Sequence, residues 1–177
     1  MLVSNSLEQI YSKFAESSNL PSRMHCPRIV KVCLNVGLGK ARYEEKFLES
    51  TLRDLSLIAG QKAVVTYAKK SIASFKLRQG FPVGCRVTLR RSLMCSFIDR
   101  LLYVALPDEK DFRGFSTKSF GGGGNLSFGI KEHIIFPEIN YDNVYKTFGM
   151  DVTVVTTAKN TSDAKSFLSY INFPFVD

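Results

Sequence analysis

Acidic residues are missing from Leu55 to Ile98. Tryptophan is absent, histidine occurs only as His25 and His133, and the four cysteines (Cys26, Cys33, Cys85, Cys95) form no C-x-x-C pair. Each gap removes a class of function. Without Cys or His ligands paired at short spacing, no zinc module is written into the chain. Cys33 and Cys85 fall in strand-like runs and are expected to act as small hydrophobes in a reducing compartment. Neither histidine has a nucleophile paired to it by local spacing, and Asp54, Asp99, Asp111 and Glu138 stand singly. An enzyme's catalytic set is therefore not discernible. No apolar run approaches the ~18 residues that cross a bilayer. Glu8 and Lys13 interrupt the segment from Met1 to Glu16, where a secretory leader needs an unbroken apolar stretch. These gaps predict a soluble intracellular protein with no metal and no cofactor.

The acid-free stretch is filled with cations: Lys62, Lys69, Lys70, Lys76, Arg78, Arg86, Arg90 and Arg91. Elsewhere the remaining basic residues are matched one for one by the 16 acidic residues, so the whole net charge of +8 resides in this stretch. A merely soluble surface intersperses both signs. A one-signed block is the electrostatic footprint of a polyanion partner. With 45% hydrophobic residues in 177, the chain can close a core, and no linker divides it; one domain is expected over 1–177.

Leu7, Ile10, Tyr11 and Phe14 repeat at helical spacing behind a Ser6/Gln9 capping box. Pro21 and Pro27 bracket an irregular link. From Ile29 to Val36 the residues alternate, with Val30, Val32 and Leu34 on one side and Lys31, Cys33 and Asn35 on the other. A helix is predicted from about Glu44 to Ala59 with Phe47, Leu48, Leu52, Leu55 and Ile58 inward, closed by Gly60. Lys62–Tyr67 reads as a strand, 69–82 as a basic excursion, and Val83–Arg90 as a strand. Ser92 should cap a helix to about Ala105 with Leu93, Phe97, Leu101 and Val104 inward, and Pro107 should open a long loop through Gly121–Gly124. Strands are expected near Leu126–Ile130, His133–Phe136 and Asp151–Thr157, a short helical piece near Tyr141–Thr147, and a closing helix from Ser162 to Ile171. The elements mix without a βαβ rhythm. That predicts an α+β fold: a twisted, mainly antiparallel sheet flanked by helices, with a projecting basic loop.

The run Asn35-Val36-Gly37-Leu38-Gly39-Lys40-Ala41 superficially suggests a nucleotide loop. It lacks the spacing and the hydroxyl of a P-loop, and Arg42 stands where a dinucleotide fingerprint needs glycine. A tight turn explains the glycines. On the Val83–Arg90 strand, by contrast, Arg86, Thr88 and Arg90 alternate onto one face, presenting donors suited to phosphate and sugar oxygens. Lys69, Lys70, Lys76 and Arg78 surround Phe75, a pairing of cations and an aromatic ring that suits RNA. An acidic protein partner would read the same charges.

Several blocks resemble the bacterial-type large-subunit ribosomal protein L-five family: Gly60–Thr66, Ala68–Arg78, Gly84–Arg90, Ala105–Pro107, Asp111–Gly114, Gly129–Glu132, Phe136–Ile139, Gly149–Asp151 and Val155–Ala158. They occur in order from about Pro27 to Phe175. The resemblance implies a non-enzymatic structural protein that anchors 5S ribosomal RNA in the central protuberance of a bacterial or organellar large subunit. It implies contacts with 23S-type ribosomal RNA and neighbouring 5S-binding proteins. A further contact, with P-site transfer RNA, would run through the loop around Ser71–Gly80, and a bridge would reach small-subunit protein S-thirteen. The family's RNA-contacting asparagine, glutamine and threonine fall on Asn35, Gln61 and Thr88. The expected 5S set is thus Asn35, Gln61, Thr66, Lys69, Lys70, Arg86, Thr88 and Arg90, and the expected transfer RNA set Phe75, Lys76 and Arg78. Departures from the family pattern lie at Asp108-Glu109, Gly121–Gly124 and Phe148.

Overall fold

In a computed structural model that describes residues 7–17, 22–39, 44–110 and 112–176, helix α1 (Leu7–Ser17) precedes strand β1 (Ile29–Gly37) and helix α2 (Glu45–Ala59). Strands β2 (Val64–Tyr67) and β3 (Pro82–Leu89) follow, then α3 (Arg91–Arg100), a π-helical turn (Leu101–Ala105) and the short α4 (Leu106–Asp108). Strands β4 (Phe115–Ser116), β5 (Leu126–Ile130) and β6 (Met150–Thr156), helix α5 (Thr161–Tyr170) and β7 (Phe175–Val176) complete the order. The main sheet runs β2-β3-β1-β6-β5 with every pairing antiparallel, and β4 and β7 form a small parallel pair. The α+β reading holds.

Alternation decides which face of the sheet is inside. Val32, Leu34 and Val36 of β1 are aligned with Leu89, Val87 and Cys85 of β3, and all six are buried. Val152 and Val154 of β6 and Leu126 and Ile130 of β5 extend the same surface. Phe47, Leu55 and Ile58 of α2 and Met94, Phe97 and Ile98 of α3 close the core over it. Truncating a fully buried position such as Leu34 to alanine costs about 2–5 kcal/mol, lost transfer energy plus a cavity. At the far end Phe14 of α1 sets its ring edge-on to Phe167 of α5, centroids 5.4 Å apart, and Tyr11 stacks on the same ring. Gly60 ends α2 in the left-handed region at φ 63°, where its N–H bonds the Leu57 carbonyl.

Local interactions overrule the sequence pattern at several places. A bulge between Ile29 and Lys31 shifts the alternation, so Ile29 is buried and Val30 exposed. Lys62 and Ala63 stay outside β2, because the Ala63 N–H donates to the Ser56 hydroxyl at 3.0 Å. Ser92 does not cap α3; Arg90 holds that position in extended conformation without a side-chain bond. The buried stripe is Met94, Cys95, Phe97, Ile98, Leu101, Leu102 and Ala105, leaving Leu93 and Val104 at the surface. The wider π turn moves the inward position from Val104 to Ala105. Pro107 lies within α4, which continues the π turn without a break since Ala105 and Leu106 both keep right-handed helical backbone, so the loop begins later than expected. His133–Ile135 is a 3-10 turn rather than a strand, and the predicted helix near Tyr141–Thr147 shortens to a 3-10 turn at Tyr141–Asn143. The glycine run has no helix or strand, yet Gly124 is buried at φ 69° with Ala158 so close that an added Cβ would meet its side chain at 3.0 Å. Ser6, Pro21, Lys40, Ala41, Arg42 and Asp111 lie outside the described residues. Among the described residues no helix is long and apolar enough to cross a membrane.

Candidate nucleic-acid interface

The second face of the main sheet has no covering layer among the described residues. The strand registers assemble it in rows. One row runs Val64–Arg86–Asn35–Asp151–Gly129 across β2, β3, β1, β6 and β5. A second runs Thr88–Cys33–Thr153–Ser127 across the last four. Asn35, Arg86, Thr88, Ser127 and Asp151 are exposed, while Cys33 and Thr153 are half-buried. The Ser127 and Thr153 hydroxyls lie 3.2 Å apart, and the side chains of Asn35, Arg86, Thr88 and Asp151 carry no hydrogen bond or ion pair among the described residues. Their bonding capacity faces outward. Strands lie about 4.8 Å apart, so these rows span a surface roughly 15–20 Å wide.

Two glycines keep this face free of bulk. Gly84 of β3 stands between Thr66 and Gly37, and a Cβ there would meet the Val36 carbonyl oxygen at 2.4 Å. No other residue fits without spreading β1 from β3. Gly129 opposite Asp151 leaves that carboxylate uncovered.

From Ala68 to Phe81 the chain extends beyond β2 and β3. Ala68 donates to the Phe81 carbonyl at 2.8 Å, and an isolated antiparallel bridge joins Ile72 to Leu77. Between them Ala73–Phe75 makes a 3-10 turn that Lys76 closes in the left-handed region, φ 50°. From Lys69 to Gly80 only Leu77 is half-buried; the rest is exposed, Phe75 at 68%. The segment contributes almost nothing to the core. Ser71, Lys76, Leu77, Arg78 and Phe81 line a shallow groove along it.

The structure brings Asn35, Arg86, Thr88 and Thr66 onto the open face, with Asn35 and Arg86 direct cross-strand neighbours. Arg90 continues the alternation one step past β3, as the residue before α3. Gln61 does not belong to the strand rows; it is exposed in the bend between Gly60 and β2. Lys69 and Lys70 begin the extension, and Phe75, Lys76 and Arg78 occupy its tip and return. Lys31, Asp151, Thr153 and Ser127 share the open face but were not singled out from the sequence. The alternation of Met150–Thr156 carried the signal, but which of its two faces was open depended on pairing with β1.

Burial separates the cysteines. It pushes the Cys85 thiol up to about 11 and raises Cys26 and Cys95, whereas Cys33 lies on the open face. Cys85 thus behaves as the expected small hydrophobe, and Cys33 does not. Away from the interface, His133 is fully buried with its ring stacked 3.8 Å from that of Phe148. The Phe148 N–H donates to His133 Nδ1 at 3.4 Å, so the neutral ring carries its proton on Nε2, 3.8 Å from an Asp54 carboxylate oxygen. Burial holds the His133 pKa below its ordinary value, with Asp54 opposing. Arg100 pins the same region by donating to Glu138 and to the Ile58 carbonyl.

Residues 22–78 match the family model described as Ribosomal protein L5, and residues 82–175 match the companion model for the C-terminus of that ribosomal family. The chain is 55% identical over 177 residues to large ribosomal subunit protein uL5 of Neorickettsia sennetsu, covering all of both chains. It is 56% identical over 154 residues to the protein of that name from Ehrlichia canis, covering 87% of each. With its Wolbachia counterpart from Brugia malayi it shares 52% over 170 residues, 96% of each chain.

Proposed function

Since the chain belongs to the uL5 family of large-ribosomal-subunit proteins, structural and without enzymatic activity, we propose that its open sheet face holds 5S ribosomal RNA in the central protuberance. The observation that carries this is the coincidence of two independent features. The face is a continuous set of outward hydrogen-bonding side chains, and the acid-free stretch that supplies β2, β3 and the extension holds the entire charge excess. Phosphate contacts supply affinity and position, and short polar side chains on a rigid sheet supply fit. Asn35, Thr66, Arg86 and Thr88 act from the strands, Arg90 from the strand end, and Gln61, Lys69 and Lys70 from the flanking bends. The extension, with Phe75, Lys76 and Arg78, grips the elbow of P-site transfer RNA. Contacts with 23S-type ribosomal RNA, neighbouring 5S-binding proteins and small-subunit protein S-thirteen complete the assignment.

Filter binding with purified 5S RNA tests it. Asn35→Ala and Thr88→Ala should each weaken binding by about 1–3 kcal/mol, by leaving an RNA group unpaired in a dry interface. Neither side chain is in the core, so the melting curve should stay put. Unchanged affinity in both variants would mean the wrong face of the sheet has been chosen.

A further inference from the structure

The main sheet ends at β5, whose outer edge is only partly covered. On the side away from β6 an isolated bridge joins Leu126 to Phe120, and no further strand pairs there among the described residues. The Asn125 carbonyl accepts from the Gly121 N–H at 2.8 Å, so it points outward, and antiparallel alternation turns the backbone groups of Ser127 and Gly129 the same way. An edge left in this state is a template for another strand. Gly129 is exposed, and its missing side chain lets a second backbone come close.

A groove of about 510 Å³ is lined jointly by this edge and by the segment leading into β4. Phe112, Phe115 and Phe128 form its apolar part, the Phe115 ring centroid lying 5.2 Å from that of Phe112 and 4.3 Å from that of Phe128. Its charged side chains are Lys110, Arg113 and Lys131, all exposed, against Glu109 alone, which is half-buried. None of the four has an ion pair among the described residues. Asp108 and Glu132 line a smaller recess of about 170 Å³ that shares Lys110 and Lys131.

We infer that this groove is a docking site for an extended peptide that adds a strand to β5 and alternates apolar with acidic residues. Main-chain bonds to the β5 edge hold its backbone, and side chains of period two divide between the two linings. The apolar ones lie on the phenylalanines, and the carboxylates meet Lys110, Arg113 and Lys131. A second copy of this chain fits poorly, because pairing β5 with β5 sets the three cations against their own likeness. The occupant is a segment of another protein, and its docking does not require RNA on the sheet face.

The probe is a fluorescein-labelled peptide, Glu-Val-Glu-Leu-Glu-Val-Glu, titrated with the full chain and read by anisotropy. Saturable binding at about 100 μM or tighter is expected, with amide shifts in heteronuclear spectra centred on Ser127–Lys131. Lys131→Glu and Arg113→Glu, both at exposed positions, should each weaken it about tenfold. The same peptide with lysine in place of glutamate should bind these variants better than it binds wild type. Methylating the peptide's amide nitrogens keeps every charge but removes the main-chain donors, and should also cost about tenfold. Equal binding of the methylated peptide, or shifts centred on Lys69–Gly80, would reduce the contact to nonspecific charge attraction and overturn the inference. Displacement of the peptide by 5S RNA that shifts the same Ser127–Lys131 amides gives the groove to RNA. A concentration-dependent dimer whose contacts map to β5 gives it to a second copy, and either result also overturns the inference. So does the lack of saturable binding up to about 1 mM. Melting curves check that both variants fold, and the methylated-peptide comparison needs only the wild-type chain.

Discussion

Trimming the extension separates the two RNA contacts assigned to this chain. Residues 71–80 would be replaced by a short Gly-Asn-Gly turn, keeping Lys69 and Lys70 and the Ala68–Phe81 backbone bond at 2.8 Å. The deleted segment holds no buried side chain and only one half-buried, Leu77. Shortening the connection between Ala68 and Phe81 by about half recovers about 0.6 kcal/mol of closure entropy, so stability should change by about that much or less. Lys76 and Arg78, two of the eight clustered cations, disappear with it. If they only add to the field around a 5S site built on the sheet, affinity should fall no more than about fivefold, and the salt slope should stay near the wild-type value. If both touch 5S phosphates, the slope should flatten by roughly 1.4–1.8. Filter binding over a salt series reads both. In ribosomes assembled with the trimmed protein, P-site transfer RNA should dissociate faster. A folded, trimmed protein that no longer binds 5S RNA would place the extension inside the 5S site and refute the division. Unaltered transfer RNA dissociation would remove the second role.

Other perturbations probe the scaffold and the face. N-ethylmaleimide should modify Cys33 first in the native protein, since burial shields Cys26, Cys85 and Cys95 and raises their thiol pKa values; bound 5S RNA should protect it, and equal rates with and without RNA would exclude RNA from the β1 rows. Gly84→Ala should cost about 2–3 kcal/mol, with a fall in melting midpoint of about 5–10 °C, because its Cβ has no room beside the Val36 carbonyl. His133 is held neutral by burial in the folded state, so an unfolded chain takes up its proton first as pH falls below about 6.5. Stability from this group is therefore full above that pH and lost below it, by up to about 1.4 kcal/mol per pH unit until the folded-state pKa is reached. His133→Gln should melt with a shallower acid dependence than wild type between pH 6.5 and 5, and parallel curves would show that His133 takes its proton equally well in both states.

Much of the architecture was written locally. The apolar periodicity of α2, the left-handed glycine that ends it and the alternation of β6 and of β1 and β3 over most of their length depend on residues a few positions apart. The acid-free stretch is likewise a property of sequence alone, and the family blocks identified a large-subunit ribosomal protein. The placement of Asn35, Arg86 and Thr88 on the polar face was legible too, because a strand with one apolar face must present its polar residues to the other.

Pairing across long sequence separations decided the rest. Alternation assigns Asp151 and Thr153 to a side of their own strand. Only the register with β1, more than a hundred residues earlier, places that side beside Asn35 and Cys33. The bulge that exposes Val30 and the π turn that replaces Val104 with Ala105 leave no mark in apolar spacing, because each inserts a backbone irregularity that the packed core selects. His133 looked like a strand residue until Phe148 supplied a ring to stack on and a backbone N–H to accept from, a contact fifteen residues away. Local sequence determined which surfaces are apolar and where the charge lies. Tertiary pairing determined which polar residues share one face, because a hydrogen-bonding surface on a sheet exists only once several strands have fixed their register.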